Sequence, residues 1–323
     1  MSQRGNRMKK APFSLGKILL ICVTLSMVAT ISAQTSKKKK KPAAENLVMW
    51  TSVDVAGQDT FLGPGGTEWQ PDISSGVTLV SEEKGGFSTK YRIKDSAGRT
   101  WVAKIGEEAQ SETAAVRLLY ALGYKTEINY LVPKLTIPGK GDFTNVRLEA
   151  RPKGLKRLES WSWKENAFIG SRQFQGLKIL MSFLNNWDMK QANNVIIRNG
   201  DEFHYVISDL GVSFGKTGSN GLPIFWRIGR SRNQPVDYAE SDFVQGVESG
   251  KIKFAFNGKN DGSLGDIKRE DGRWLARLLT QLTDKQIEDM FRAANYSDSD
   301  VATLSQAVKN RIRALDLATA SVR

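Results

Sequence analysis

The chain has one cysteine and one histidine in 323 residues, and its first 41 residues contain no acidic side chain. A single thiol closes no disulfide within the chain, and Cys22 lies in an apolar N-terminal run, so the body has neither a cysteine nucleophile nor a cysteine metal site. The lone histidine excludes a multi-histidine metal centre. His204 alternates with Phe203, Tyr205 and Ile207 and reads as a strand residue rather than a catalytic base. The formal net charge is +13, but ten of the 47 basic residues precede Pro42, leaving 37 bases against 34 acids in the remainder. That near-neutral body argues against nucleic acid as a partner. Hydrophobic residues are 40% and aromatic residues 9% of the chain, enough to bury a core and to exclude a disordered or collagen-like chain. No internal repeat is present.

The N-terminus has the layout of a secretory signal peptide. Arg4, Arg7, Lys9, Lys10 and Lys17 precede an apolar run from Ile18 to Ala33, and cleavage is expected after Ala33, giving an exported protein. An uncleaved membrane anchor is the alternative, because Ile31 is not the small residue preferred near a cleavage site. Lys37 to Lys41 form a solvated, self-repelling tether that suits peripheral contact with anionic lipid. Residues 34–76, with Gly63-Pro64-Gly65-Gly66 and Pro71-Asp72, read as a basic, Gly/Pro-rich linker.

From there the pattern divides in two. Residues 77–151 predict short β runs at Val77 to Val80, Thr89 to Lys94, Thr100 to Ile105, Tyr130 to Ile137 and Asn145 to Ala150. One helix interrupts them, capped by Ser111 and ended by Gly123. Residues 152–323 are mainly helical: Ser171 to Asn186, Gly272 to Leu282, Asp284 to Ala294 behind a Thr283/Gln286 capping box, and Asp298 to about Ala318. A hairpin at Val195 to Ser208 turns on Asn199-Gly200, while Lys216 to Gly265 carries little pattern.

Three pieces then follow in a telling order: a strand ending Trp101-Val102-Ala103-Lys104, the loop from Asp188 to Asn193, and Ser208-Asp209-Leu210-Gly211 after a hairpin strand. Their order and spacing resemble the protein-kinase-like superfamily. With no His-Arg before Asp188, the likeness is closer to the atypical HipA-like bacterial kinases and phosphatidylinositol kinases. The resemblance spans roughly residues 77–317. It implies an α+β, two-lobed kinase-like fold with a small antiparallel β-rich N-lobe and a helical C-lobe. It also implies an ATP-dependent phosphotransferase using Mg²⁺, with an unknown protein, lipid or small-molecule acceptor.

On that resemblance, Lys104 holds nucleotide phosphates and Glu112, or failing it Glu108, orients Lys104. Gly85 and Gly86 let backbone amides approach the phosphates. Asp209 and Asn193 bind the metal, with Asn194 an ambiguous neighbour. Asp188 acts on the acceptor hydroxyl, and Lys190 stabilises the transferred group. A catalytically silent kinase-like module binding a partner at the cell envelope is the alternative, and nucleotidyl transfer is a third reading. Arg227, Arg230 and Arg232 are candidates for an anionic substrate, against a plain solvated loop. Trp161 and Trp163 invite a carbohydrate-binding edge, with core packing the default.

Overall fold

A computed structural model describes residues 44–83, 88–218 and 229–320; the apolar N-terminal run with Cys22, the Lys37 to Lys41 tract, Gly85, Gly86 and Arg227 lie outside them. Residues 44–76, read from composition as linker, are part of the folded body. Strand β1 (Leu47–Val48) pairs in parallel with residues Phe203 and His204. Met49 and Val55 are fully buried, each contributing about 1.5–3 kcal/mol of apolar burial. The Trp50 indole donates to the Leu122 carbonyl at 2.6 Å, and the Gln286 amide donates to the carbonyls of Val55 and Gln58 at 2.7 and 2.8 Å. The Gly and Pro residues shape turns around these anchors rather than loosening the segment.

The N-lobe is a five-stranded antiparallel sheet of β2 (Thr78–Glu83), β3 (Thr89–Lys94), β4 (Thr100–Ile105), β5 (Asn129–Ile137) and β6 (Gly141–Ala150), ordered β2-β3-β4-β6-β5. Helix α1 (Glu108–Ala121) follows β4. It begins before Ser111, which is inside the helix and spends its hydroxyl on the Glu108 and Gly211 carbonyls instead of capping. Gly123 ends it as expected: φ is +87°, and a Cβ there would lie 2.2 Å from the Thr51 carbonyl oxygen, so only glycine fits. One face of the sheet builds the lobe's core from Tyr91, Ile93, Trp101, Ala103 and Leu148, among others.

The C-lobe adds β7 (Lys156–Arg157), α2 (Arg172–Phe183), β8 (Asn194–Asn199), β9 (Glu202–Ile207), α3 (Pro235–Glu240), β10 (Val244–Glu248), β11 (Lys251–Phe254), α4 (Arg269–Leu279), α5 (Asp284–Arg292) and α6 (Asp298–Thr319). Ser171 caps α2 by accepting from the Phe174 amide, and the Thr283/Gln286 box caps α5. The β10–β11 hairpin falls where the sequence pattern was silent, because Gly246, at φ +143°, shifts the register and breaks the period of two. The fold is the α+β arrangement of a β-rich lobe and a helical lobe that the sequence implied. Among the described residues no helix is long and apolar enough to cross a membrane.

Candidate active site

Strand alternation places the first functional side chain. Trp101 and Ala103 enter the N-lobe core, so Val102 and Lys104 face the opposite side of β4, towards the C-lobe loops. The Lys104 ammonium lies 2.8 Å from Glu112 Oε2, 3.0 Å from Glu108 Oε2 and 3.4 Å from Asp209 Oδ1. Glu108 and Glu112 are one turn apart on α1, so both reach the same lysine. The sequence offered them as alternatives; the structure brings both together. Arg147, paired with Lys104 across β4 and β6, holds the other Glu112 oxygen at 3.3 Å. Burial opposes the charge on Lys104, yet Glu112, Asp209 and Glu108 outweigh it and raise its pKa, so the ammonium is permanent at neutral pH. Burial pushes the Glu112 carboxyl up, and Arg147 and Lys104 resist it.

Asp209 follows β9, where the Gly211 amide donates to its Oδ1 at 3.3 Å. A Cβ on Gly211 would sit 2.5 Å from Glu108 Cβ, and the Ser111 hydroxyl donates to the Gly211 carbonyl at 2.6 Å. The Asp-Leu-Gly turn is therefore seated on α1 by a close approach that only glycine permits.

Asp188 lies in the loop after α2. Lys190 meets its Oδ2 at 2.6 Å and Lys259 its Oδ1 at 2.6 Å. The Asn193 amide nitrogen donates to the Asp188 carbonyl at 2.8 Å and to Oδ2 at 3.2 Å. Burial pushes the Asp188 carboxyl up, but hydrogen bonds from Lys190, Lys259 and Asn193 bring it below the ordinary aspartate range. The two neighbouring asparagines lie in different surroundings: Asn194 donates to the Trp161 carbonyl inside the core, whereas Asn193 lines the cleft.

Between the lobes these groups enclose a cleft of about 690 Å³ walled by Lys90, Lys104, Asp188, Lys190, Asn193 and Asp209, with Arg230, Arg232 and Lys259 at its C-lobe rim. Sequence reasoning missed Lys90 and Lys259. Lys259 is far from Asp188 along the chain and carries no motif; Lys90 alternates with core residues on β3, a signal that strand periodicity alone held. Lys90 is held in the sheet by its backbone, opposite Glu83 and Lys104, but among the described residues its ammonium has no hydrogen-bond or ion-pair partner. Arg230 and Arg232 stack over Trp187, with guanidinium carbons 4.9 and 5.6 Å from its ring centroid, and Arg232 also pairs with Glu108 at 2.6 Å. They are built into the wall, not a solvated loop.

The donor set suits a divalent cation carried in with phosphate. Among the described residues no group of three or more His, Cys, Asp or Glu is arranged to hold a metal ion; the three carboxylates that converge do so on the Lys104 ammonium, and the residues that would hold a cation at the cleft are Asp209 and Asn193, through its side-chain oxygen.

Two other candidates are displaced from the cleft. His204 pairs with Glu202 at 2.7 Å on β9. Trp161 and Trp163 are each only 3% exposed and pack at 5.0 Å between ring centroids; their shared apolar faces were consumed by the C-lobe core, so they form no carbohydrate-binding edge.

No family model matches the chain, and no curated protein matches it. Among solved structures it is similar to a Helicobacter pylori proinflammatory kinase, CtkA, at 12% identity over 77% of this chain and 98% of that one, with a TM-score of 0.48. It is also similar to the Rio2 kinase-ADP/Mg2+-phosphoaspartate complex from Chaetomium thermophilum at 10% identity, over 73% of this chain and 72% of that one, with a TM-score of 0.28. The cleft is assigned on its own geometry.

Proposed function

We propose that the chain is a phosphotransferase that moves a phosphoryl group from a magnesium-bound triphosphate, ATP among them, to a hydroxyl acceptor. The observation that carries it is the convergence of Lys104, locked by two α1 carboxylates, with Asp209 across a cleft from Asp188 and Asn193. A lysine so fixed costs no reorganisation when it meets phosphate charge. Lys104 binds the phosphate chain, and Lys190 lies close enough to Asp188 to neutralise charge on the group in transit. Asp188 orients the acceptor hydroxyl and receives its proton. Asp209 and Asn193 would hold Mg²⁺, which when bound would supply neutralisation of phosphate charge.

A second reading has its own support. Both Asp188 oxygens are engaged by lysines, an arrangement that also suits a module that binds without transferring. Asp188→Asn separates the two. It is expected to keep Mg-ATP affinity within about threefold while lowering transfer by at least about a hundredfold. Equal, partial loss of both would give Asp188 a structural role, and wild-type binding with no transfer to any acceptor would favour the silent module. The basic, apolar N-terminus and Lys37 to Lys41 support export or anchoring at the cell envelope, which cell fractionation tests.

A further inference from the structure

The deep end of the cleft is ionic where a purine site is apolar. On the cleft face of the sheet, Lys90, Lys104 and Arg147 lie in one cross-strand row and Arg92, Val102 and Glu149 in the next. The cavity of about 240 Å³ beneath them has only Val102 and Ala192 as apolar lining among the described residues. Apart from Lys90, its basic side chains are already partnered. Arg147 holds Glu149 at 2.8 Å, Arg151 also pairs with Glu149, Arg157 with Glu127, and Arg92 with Glu83. A base entering here meets a closed network of ion pairs and would strip water and partners from buried charges.

The backbone tells the same story independently. At the connection between the lobes, the Ala150 amide donates to the Ile128 carbonyl at 2.9 Å and the Arg151 amide to the Thr100 carbonyl at 2.8 Å. Pro152 has no amide hydrogen to give. Three consecutive positions therefore present no free N–H to the edge of a base. The phosphate end is the reverse: Lys104 is preformed, and the Lys90 ammonium lines the cleft with no partner among the described residues.

We propose that this cleft recognises its donor through the phosphate chain and not the base, so that its donor class is magnesium polyphosphates: nucleoside triphosphates of any base, and inorganic tripolyphosphate. This rests on the phosphotransferase reading. In the transfer the acceptor oxygen forms a bond to the terminal phosphorus as that phosphorus loses its bridging oxygen. The hydroxyl proton passes to Asp188, and the shortened polyphosphate leaves with the bond's electron pair.

The test is calorimetric titration of the full chain, in Mg²⁺, with ATP, GTP, UTP, inorganic tripolyphosphate and AMP. The first four are expected to agree within about fivefold and AMP to bind at least about a hundredfold more weakly. ATP tighter than UTP and tripolyphosphate by tenfold or more would overturn base indifference while leaving the phosphotransferase reading intact. No binding of any triphosphate by a folded chain would instead overturn that reading itself. Lys90→Ala is expected to weaken all four strong ligands alike, by about tenfold; a loss confined to the nucleotides would contradict the proposal.

Discussion

At the residue scale the cleft is a set of carboxylates held charged by neighbouring cations, some from the same loop and some from distant elements. Asp188 shows the sign of the effect. Burial pushes its carboxyl up, but hydrogen bonds from Lys190, then Lys259, together with Asn193, depress it. A depressed carboxyl contributes stability that is present above its unfolded value and is lost as pH falls through its folded value. Lys259→Ala removes one of the opposing bonds, so the Asp188 pKa is expected to rise and the acid-side loss to begin at higher pH. Carboxyl-carbon chemical shifts followed against pH measure this, and an unchanged Asp188 titration would show that the 2.6 Å contact carries no electrostatic weight. Lys104, Asp188, Asn193 and Asp209 were legible in the sequence because each sits at a fixed offset inside a short motif. Lys259 and the Arg147 support of Glu112 were not, since contacts between elements far apart in the chain leave no local spacing to read.

At the element scale the loop bearing Asp188 is held from below by α6. Arg311, 4% exposed, donates to the Phe183 carbonyl at 3.1 Å, near the C-terminal end of α2, and to Asn185 Oδ1, Tyr238 O and Ser241 O. A cation at a helix C-terminus is favourable there, and its fork ties α2, α3 and the loop after α3 together. Asn185, at φ +55°, and Phe214, at φ +57°, turn the chain sharply on either side of this knot. Arg311→Met leaves several buried carbonyls without donors and is expected to cost about 2–4 kcal/mol of stability in urea unfolding; a loss below about 1 kcal/mol would mean water replaces the guanidinium without consequence. Local signals were read well at this scale. The Thr283/Gln286 box and the Gly123 stop stand where the sequence put them. Ser111 misled because its hydroxyl serves the Gly211 carbonyl, a tertiary contact that overrides the capping preference.

At the scale of the whole molecule, the two lobes are joined through their charge network and through residues 44–76. Composition marked that segment as linker, but Met49, Val55 and Trp50 anchor it against α1 and the C-lobe, since a few buried apolar residues suffice to order a Gly-rich chain. The lobes meet at a cleft lined at one end by Lys104, Lys90 and Lys190 and at its deep end by paired charges. The most direct test of this account is calorimetric titration of Mg-ATP into wild type and Asp209→Ala, each shown to be folded by its thermal transition. The expected result is Mg²⁺-dependent binding to wild type, weakened at least about a hundredfold in the variant with little change in stability. Equal affinity in a folded variant, or no binding to folded wild type, would contradict it.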